Sequence, residues 1–265
     1  MAVKLFQAKG FLGHALLPWV GLGTLVLSWD VALRLSTGSL LPTPWQVLLA
    51  LLEMAGNGLL LKHVVASLFR VTWGFLLAVA LALPVGLGLA LSRRSELAFT
   101  PFLELLRPIS PLAWIPIAIL WLGVGDLSAV ALIFIASFLP LTLSVRNAVR
   151  GVPVVHVQAG RNFGLSSLAL VRKVLLPSMV PQLLVGIRLA LGIAWLVVVA
   201  AEMIAVNSGL GFLIIDARNA GNRYDVVVGG MVMIGLVGLF LDIAVRRLEK
   251  LPALSWGYSA SGGDE

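Results

Sequence analysis

Hydrophobic positions along this chain gather into long apolar runs separated by short polar segments, and several of the runs approach the roughly 20 residues a membrane-crossing helix needs. The first run covers 15–35 and follows Lys4, Lys9 and His14. A basic flank before an apolar stretch also describes a secretory signal. This stretch exceeds a signal core and lacks a convincing small-x-small cleavage site after it, so an uncleaved first crossing is expected. Prolines at Leu41-Pro42-Thr43-Pro44 stop it, 45–54 reads as a short interfacial helix, and Gly56-Asn57-Gly58 as a turn. Further crossings are predicted over 64–91, 108–122, 127–145, 181–203 and 226–245. Between them lie Ser92-Arg93-Arg94, a polar stretch with Glu96, Glu104 and Arg107, the turn Gly123-Val124-Gly125-Asp126, a long segment 146–176 and a polar connection 207–225.

The expected organisation is an all-α membrane protein of six transmembrane helices. A segment 1–14 precedes the membrane domain 15–250, and a tail 251–265 follows it; beyond Gly257 the tail is small, polar and expected to be disordered. An even number of crossings puts both termini on one side. With the N-terminus inside, the inner segments hold 13 Lys and Arg residues against 5 in the outer ones. The positive-inside bias therefore makes both termini cytoplasmic. Within 64–91, Gly74, Ala78, Ala82, Gly86 and Ala90 recur every four residues, and Gly186, Ala190 and Ala194 repeat the device. Such stripes let helix backbones approach closely in lipid. Pro84 is expected to kink its helix.

Composition sharpens this picture. The 265 residues are 60% hydrophobic and 12% charged, with a mean hydropathy of +1.03. A soluble domain carries about 25% charged residues, and a single soluble core has no use for so much apolar surface. There are no cysteines, which excludes disulfides and thiolate chemistry. The net charge of +7 belongs to the cytoplasmic loops and does not signal nucleic acid. No Gly precedes a Lys, so the phosphate-cradling Walker loop is missing. His14, His63 and His156 lack metal-ligand spacing, and no G-x-S-x-G occurs. Neither a catalytic residue nor a metal site is expected.

Charges inside apolar runs are costly and need a partner or a wet cavity. Asp30, Arg70, Arg188, Glu202 and Asp242 are in this position. Arg188 is the deepest, and it cannot reach Glu202, which is 14 residues along the same helix, about 21 Å. Either it bridges to Asp242 on the sixth helix or it lines an anion path. Glu202 and Arg70 are expected near the outer face, where long side chains reach water, in a structural or gating role.

The segment 146–176 is the most informative. Pro153 can open a short helix and Gly164 suits the left-handed position that ends it. Ser166 or Ser167 can cap a second helix running into Arg172 and Lys173, with Pro177 and Pro181 ahead of the fifth crossing. This helix–turn–helix is either a docking element for another protein or an amphipathic helix on the membrane surface.

Gln158-Ala159-Gly160, Gly164 and, nine residues on, Val174-Leu175-Leu176-Pro177 resemble the EAA loop of ABC importer permeases. That loop reads Glu-Ala-Ala, three residues, Gly, nine residues, Ile-x-Leu-Pro. The stretches 106–116, 181–192, Val199-Ala200-Ala201-Glu202 and Asn207-Ser208-Gly209-Leu210-Gly211 are similar to permeases that import aliphatic sulfonates, taurine or nitrate. Gln158 stands where the family usually has Glu, and Gly160 replaces the second Ala. Gln keeps its hydrogen-bonding capacity but loses the charge, so docking should rest more on shape and depend less on salt.

The resemblance implies a type I ABC importer permease fold in the bacterial cytoplasmic (inner) membrane. It implies a homodimer with two copies of a separate ATPase and an external solute-binding protein. ATP and Mg would be bound by the ATPase, with no cofactor on this chain and membrane lipid around it. Gln158, Ala159, Gly160, Arg161, Asn162, Phe163 and Gly164 would form the coupling contact, and Ser110, Trp114 and Arg188 are candidates for lining the path. Arg70, Glu202 and Asp242 remain the gating or structural charges. An ATPase-independent secondary transporter or channel is the alternative; inverted repeats would support it, and none is visible.

Overall fold

A computed structural model describes residues 2–35 and 40–249 of the chain. Every regular element among them is helical: α1 (Ala2–Leu35), α2 (Pro44–Gly56), α3 (Leu59–Leu91), α4 (Arg93–Leu106), α5 (Ile115–Leu122), α6 (Asp126–Arg150), α7 (Val154–Asn162), α8 (Ser167–Leu170), α9 (Leu176–Ala205), α10 (Leu210–Gly221) and α11 (Tyr224–Glu249). The described residues divide into two compact units. One comprises the chain up to Leu60 with Ile214–Val232, and the other Leu61–Leu213 with the chain from Met233.

In the first unit α2 begins at a capping box. The Thr43 hydroxyl accepts from the Gln46 amide, and the Gln46 side chain accepts from the Thr43 amide in return. This satisfies two of the amides a helix start leaves unpaired. Arg223 joins Asp225 to Glu53 on α2, with Nη2 3.0 Å from the Glu53 carboxylate. The two carboxylates, Asp225 foremost, hold the Arg223 guanidinium above its ordinary range.

The second unit is built around α6, which has α3 and α9 packed against it. A Cβ on Gly74 would stand 2.7 Å from Ile133, one on Gly86 2.6 Å from Val145, and one on Gly186 2.5 Å from Ser144. The small residues on α3 and α9 are therefore the places where the backbones meet α6 most closely. At the far end of α6, Arg146 and Arg150 both donate to Glu96 on α4. Those hydrogen bonds, Arg146 foremost, hold the Glu96 carboxyl below the usual carboxylate range.

Four helical stretches among the described residues are long and apolar enough to cross a membrane: α3, α6, Ser167–Ala205 and α11. The expected first crossing lies within α1. The third, expected over 108–122, is not one helix. α4 and the stretch Pro111–Leu122 together pass the same test as a pair bent by 88°. α5 alone has eight residues, about 12 Å, too short to cross. The cause is local. Pro108, Pro111 and Pro116 lack the N–H a continuing helix would use, and Ser110 caps a single 3-10 turn, Pro111–Trp114, ahead of α5.

Two further differences concern the connections. The polar 207–225 is not a plain linker but holds α10. The chain from the elbow does not break before the fifth crossing. α8 passes through a π-turn, Val171–Leu175, directly into α9, so Ser167–Ala205 is one 39-residue helical stretch. The wider turn falls just before Pro177, whose ring excludes the regular backbone bond four residues back. The expected tail 251–265 lies outside the described residues.

Candidate functional site

Pro153 starts α7 from an extended conformation and Gly164 stops it with φ +71°. The Gly164 amide donates to the Arg161 carbonyl at 2.9 Å, and the Leu165 amide reaches back to Gly160 at 3.1 Å. This pair of bonds is the Schellman arrangement, which needs a residue at ease with positive φ. Ser166 then caps α8, its hydroxyl accepting from the Ala169 amide. Gly160 is buried in the angle between the two helices, where a Cβ would meet Leu170 Cδ1 at 2.6 Å. Gln158, Ala159, Arg161 and Asn162 are all exposed, and Phe163 is 86% exposed at the tip. Exposed Val154, Val155 and Leu168 accompany it. The elbow is thus a rigid corner with an apolar prow and polar flanks.

A second constellation lies where α3 meets the end of α9. Arg70 and Glu202, expected to reach water, are instead 2% and 0% exposed. Arg70 Nη1 is 2.7 Å from Glu202 Oε1 and donates to the Ser208 carbonyl at 2.8 Å; Nη2 donates to Ser208 Oγ at 2.5 Å and Nε to Asp126 at 2.8 Å. Glu202 also accepts from Ser67 Oγ at 2.9 Å and from the Gly211 amide at 3.0 Å. The Leu210 amide donates to Ser67 Oγ, and the Gly209 amide to His63 Nδ1 at 3.0 Å. The first amides of α10, which have no partner within their own helix, are satisfied by side chains from α3 and α9. The carboxylate sits at the positive end of the α10 dipole. A Cβ on Gly209, whose φ is +106°, would collide with the Glu202 carboxyl group.

Sequence reasoning placed Arg70 and Glu202 at a similar depth but did not pair them. It named His63, Asp126 and Ser208 without joining them to this pair, and did not single out Ser67. Their one signal is spacing, because residues 63, 67 and 70 fall on the same face of a helix.

Arg188 Nε donates to Asp242 Oδ1 at 2.6 Å, and Asp242 also receives Arg246 at 2.8 Å. The Arg188 charge is thereby paired. Ser110 accepts from the Leu112 amide at 3.3 Å, capping the 3-10 turn. Trp114 walls a cavity of about 160 Å³ that neither Ser110 nor Arg188 lines. Ser110 and Trp114 thus stand at the two ends of one turn, and Arg188 is apart from this cavity. Among the described residues no cluster of three metal-ligating side chains occurs.

The described residues thus form a helical body with four stretches of crossing length and one rigid exposed elbow. Residues 74–252 match the family described as binding-protein-dependent transport system inner membrane component. The taurine transport system permease protein of Escherichia coli K12 is 36% identical over 234 residues, 85% of this chain and 84% of that one. A Bacillus subtilis protein named as an aliphatic sulfonates transport permease is 35% identical over 255 residues, 96% and 90% of the two chains. The fold is similar to an inward-facing structure of the MetNI methionine ABC transporter, with a TM-score of 0.62 at 22% identity, covering 70% of this chain and 92% of that one. The chain belongs to this family of inner-membrane components, the permease subunits of ABC importers.

Proposed function

We propose that this permease forms the path for a small anion, an aliphatic sulfonate or taurine first and nitrate next, delivered by an external binding protein. Two copies of the chain form the path, and two copies of a separate ATPase grip the elbows from the cytoplasm. The basic residues of 146–173 support that placement by the positive-inside bias. The elbow carries the reading. Its rigid corner and Phe163, 86% exposed, fit a surface that another protein covers. The names of the two relatives support the cargo class.

The mechanism is a two-state machine. ATP and Mg bind the ATPase, whose closure displaces the two elbows, and the path between the permease copies changes the side to which it opens. Gly164 and the Ser166 cap keep the corner stiff, so that displacement moves α9 and does not bend the loop. Arg161 and Asn162 supply polar contacts, and neutral Gln158 supplies a hydrogen bond where a charge would be salt-sensitive.

Uptake of labelled taurine into proteoliposomes tests the proposal, using the purified permease–ATPase complex with its binding protein. Transport should require ATP, and replacing 153–164 by a Gly-Ser linker should abolish both ATPase association and uptake. Uptake that persists without ATP or without the ATPase would establish the secondary-transporter alternative instead.

A further inference from the structure

Arg107 is the C-cap of α4, where the chain bends into the stretch Pro111–Leu122. α4 and α5 touch α6 at different levels along its axis. Glu96 meets the last turns of α6, at Arg146 and Arg150. Ile115 and Ala118 pack with Ala129, Leu132 and Ala136. Arg107 lies between these contacts, at the 88° break, and lines the cavity of about 160 Å³ with Trp114, Ile135, Leu139, Pro140 and Ile193. Ile135, Leu139 and Pro140 straddle Phe138, the central residue of α6. Ile193 lies near the middle of α9. Both helices are of crossing length, and the cavity is level with their middles.

Three observations converge there. The Arg107 guanidinium makes no ion pair or side-chain hydrogen bond among the described residues, unlike Arg70, Arg146 and Arg188. An unpaired cation at that depth is costly unless water or a ligand meets it. Non-helical backbone at membrane depth is tolerated where it lines a cavity, and the break is such a place. The cavity holds roughly five waters at about 30 Å³ each, enough for a small organic ion. Its remaining lining is apolar except for the Trp114 indole, whose N–H also has no partner among the described residues.

We propose that Arg107 is the anion-recognition point of the path, its guanidinium taking the oxygens of a singly charged oxyanion such as a sulfonate while Trp114 and Ile193 hold the organic part. A planar guanidinium matches such oxygens in a fork. One positive charge in an otherwise apolar wall favours a monoanion and binds it weakly enough for release. The inference rests on the anion-importer reading above.

The test uses the whole reconstituted complex with taurine, ethanesulfonate and nitrate as probes. Arg107→Gln should lower uptake at least tenfold while the complex still assembles, and Arg107→Lys should retain several times more uptake than Arg107→Gln. The chain has no cysteine, so Arg107→Cys provides a unique thiol, which water-soluble methanethiosulfonate reagents should modify in at least one nucleotide state. Uptake by Arg107→Gln within twofold of wild type overturns the proposal. So does a thiol that stays inert in every state, or equal impairment of the Gln and Lys variants, which would mark a packing role. Should the wild-type complex move none of the three probes, the cargo reading falls, and this inference with it.

Discussion

Glu202→Gln tests the buried cluster at nearly constant side-chain volume. The carboxylate accepts from three donors: Arg70 Nη1, Ser67 Oγ and the Gly211 amide. A Gln amide offers one oxygen and turns an NH2 towards at least one of those donors, leaving Arg70 a buried cation without its closest counter-charge. Breaking one side of a buried pair costs about 3–5 kcal/mol. Asp126 remains 2.8 Å from Arg70, but its side chain is 61% exposed, so it offsets only a surface pair's worth, up to about 1 kcal/mol. The net loss is about 2–4 kcal/mol. At roughly 2–4 °C per kcal/mol for a domain of this size, the apparent Tm should fall by roughly 4–16 °C. The assay is thermal denaturation of the purified permease in detergent at one fixed scan rate, because such unfolding is irreversible. Removing both charges in an Arg70→Met, Glu202→Leu variant should cost less than the two single losses added together. A Tm change below about 1 °C for Glu202→Gln, or strict additivity in the cycle, would refute the reasoning.

Other expectations concern the elbow and the α4–α6 bridge. Gly164→Val forces a β-branched residue into φ +71°, a cost of about 1–2 kcal/mol, and should weaken co-purification of the ATPase without lowering expression of the permease; normal assembly and uptake would count against the coupling role. Gln158→Glu adds a charge at an exposed position and should make ATPase docking tighter at low salt and more salt-sensitive; weaker docking at low salt would mean that no basic partner faces it. Glu96 has a folded pKa below its ordinary 4.5, so its bridge is fully present above that value and is lost as pH falls through the depressed one. Protection of the α4 amides relative to their intrinsic exchange rate should therefore fall in acid for the wild type, whereas in Glu96→Gln it should already be low at pH 7.

How much of this was legible in the sequence depended on which interactions are local. The corner of the elbow was legible, since Pro153, Gly164 and Ser166 act on their own neighbours along the chain, whereas its unbroken passage into α9 was not. The Arg188–Asp242 pair was within reach because both charges interrupt apolar runs at comparable depth. The break at 106–111 was foreshadowed by Pro108 and Pro111, but a hydropathy reading counts an apolar run and not the direction of its axis. α10 was lost in a polar stretch because its first amides are held by His63, Ser67 and Glu202, residues far away in sequence. Burial of Arg70 and Glu202 was invisible for the same reason. Depth along a helix can be counted from residue numbers, whereas enclosure by three other segments cannot.

The π-turn at Val171–Leu175 has a mechanical consequence. Because it joins the elbow to α9 without a break, Ser167 and Ala205 are the two ends of a single rod, roughly 58 Å long for its 39 residues. Gly186 is its central residue, and there the rod presses against Ser144 with no side chain between. It is held on either side as well, Met179 clustering with Val145 and Val149, and Ala201 with Ala129 and Leu132. A push on the elbow would therefore be passed along the whole of α9 as a sliding of packed helices, reaching the Glu202 cluster at its other end without a relay of separate side chains.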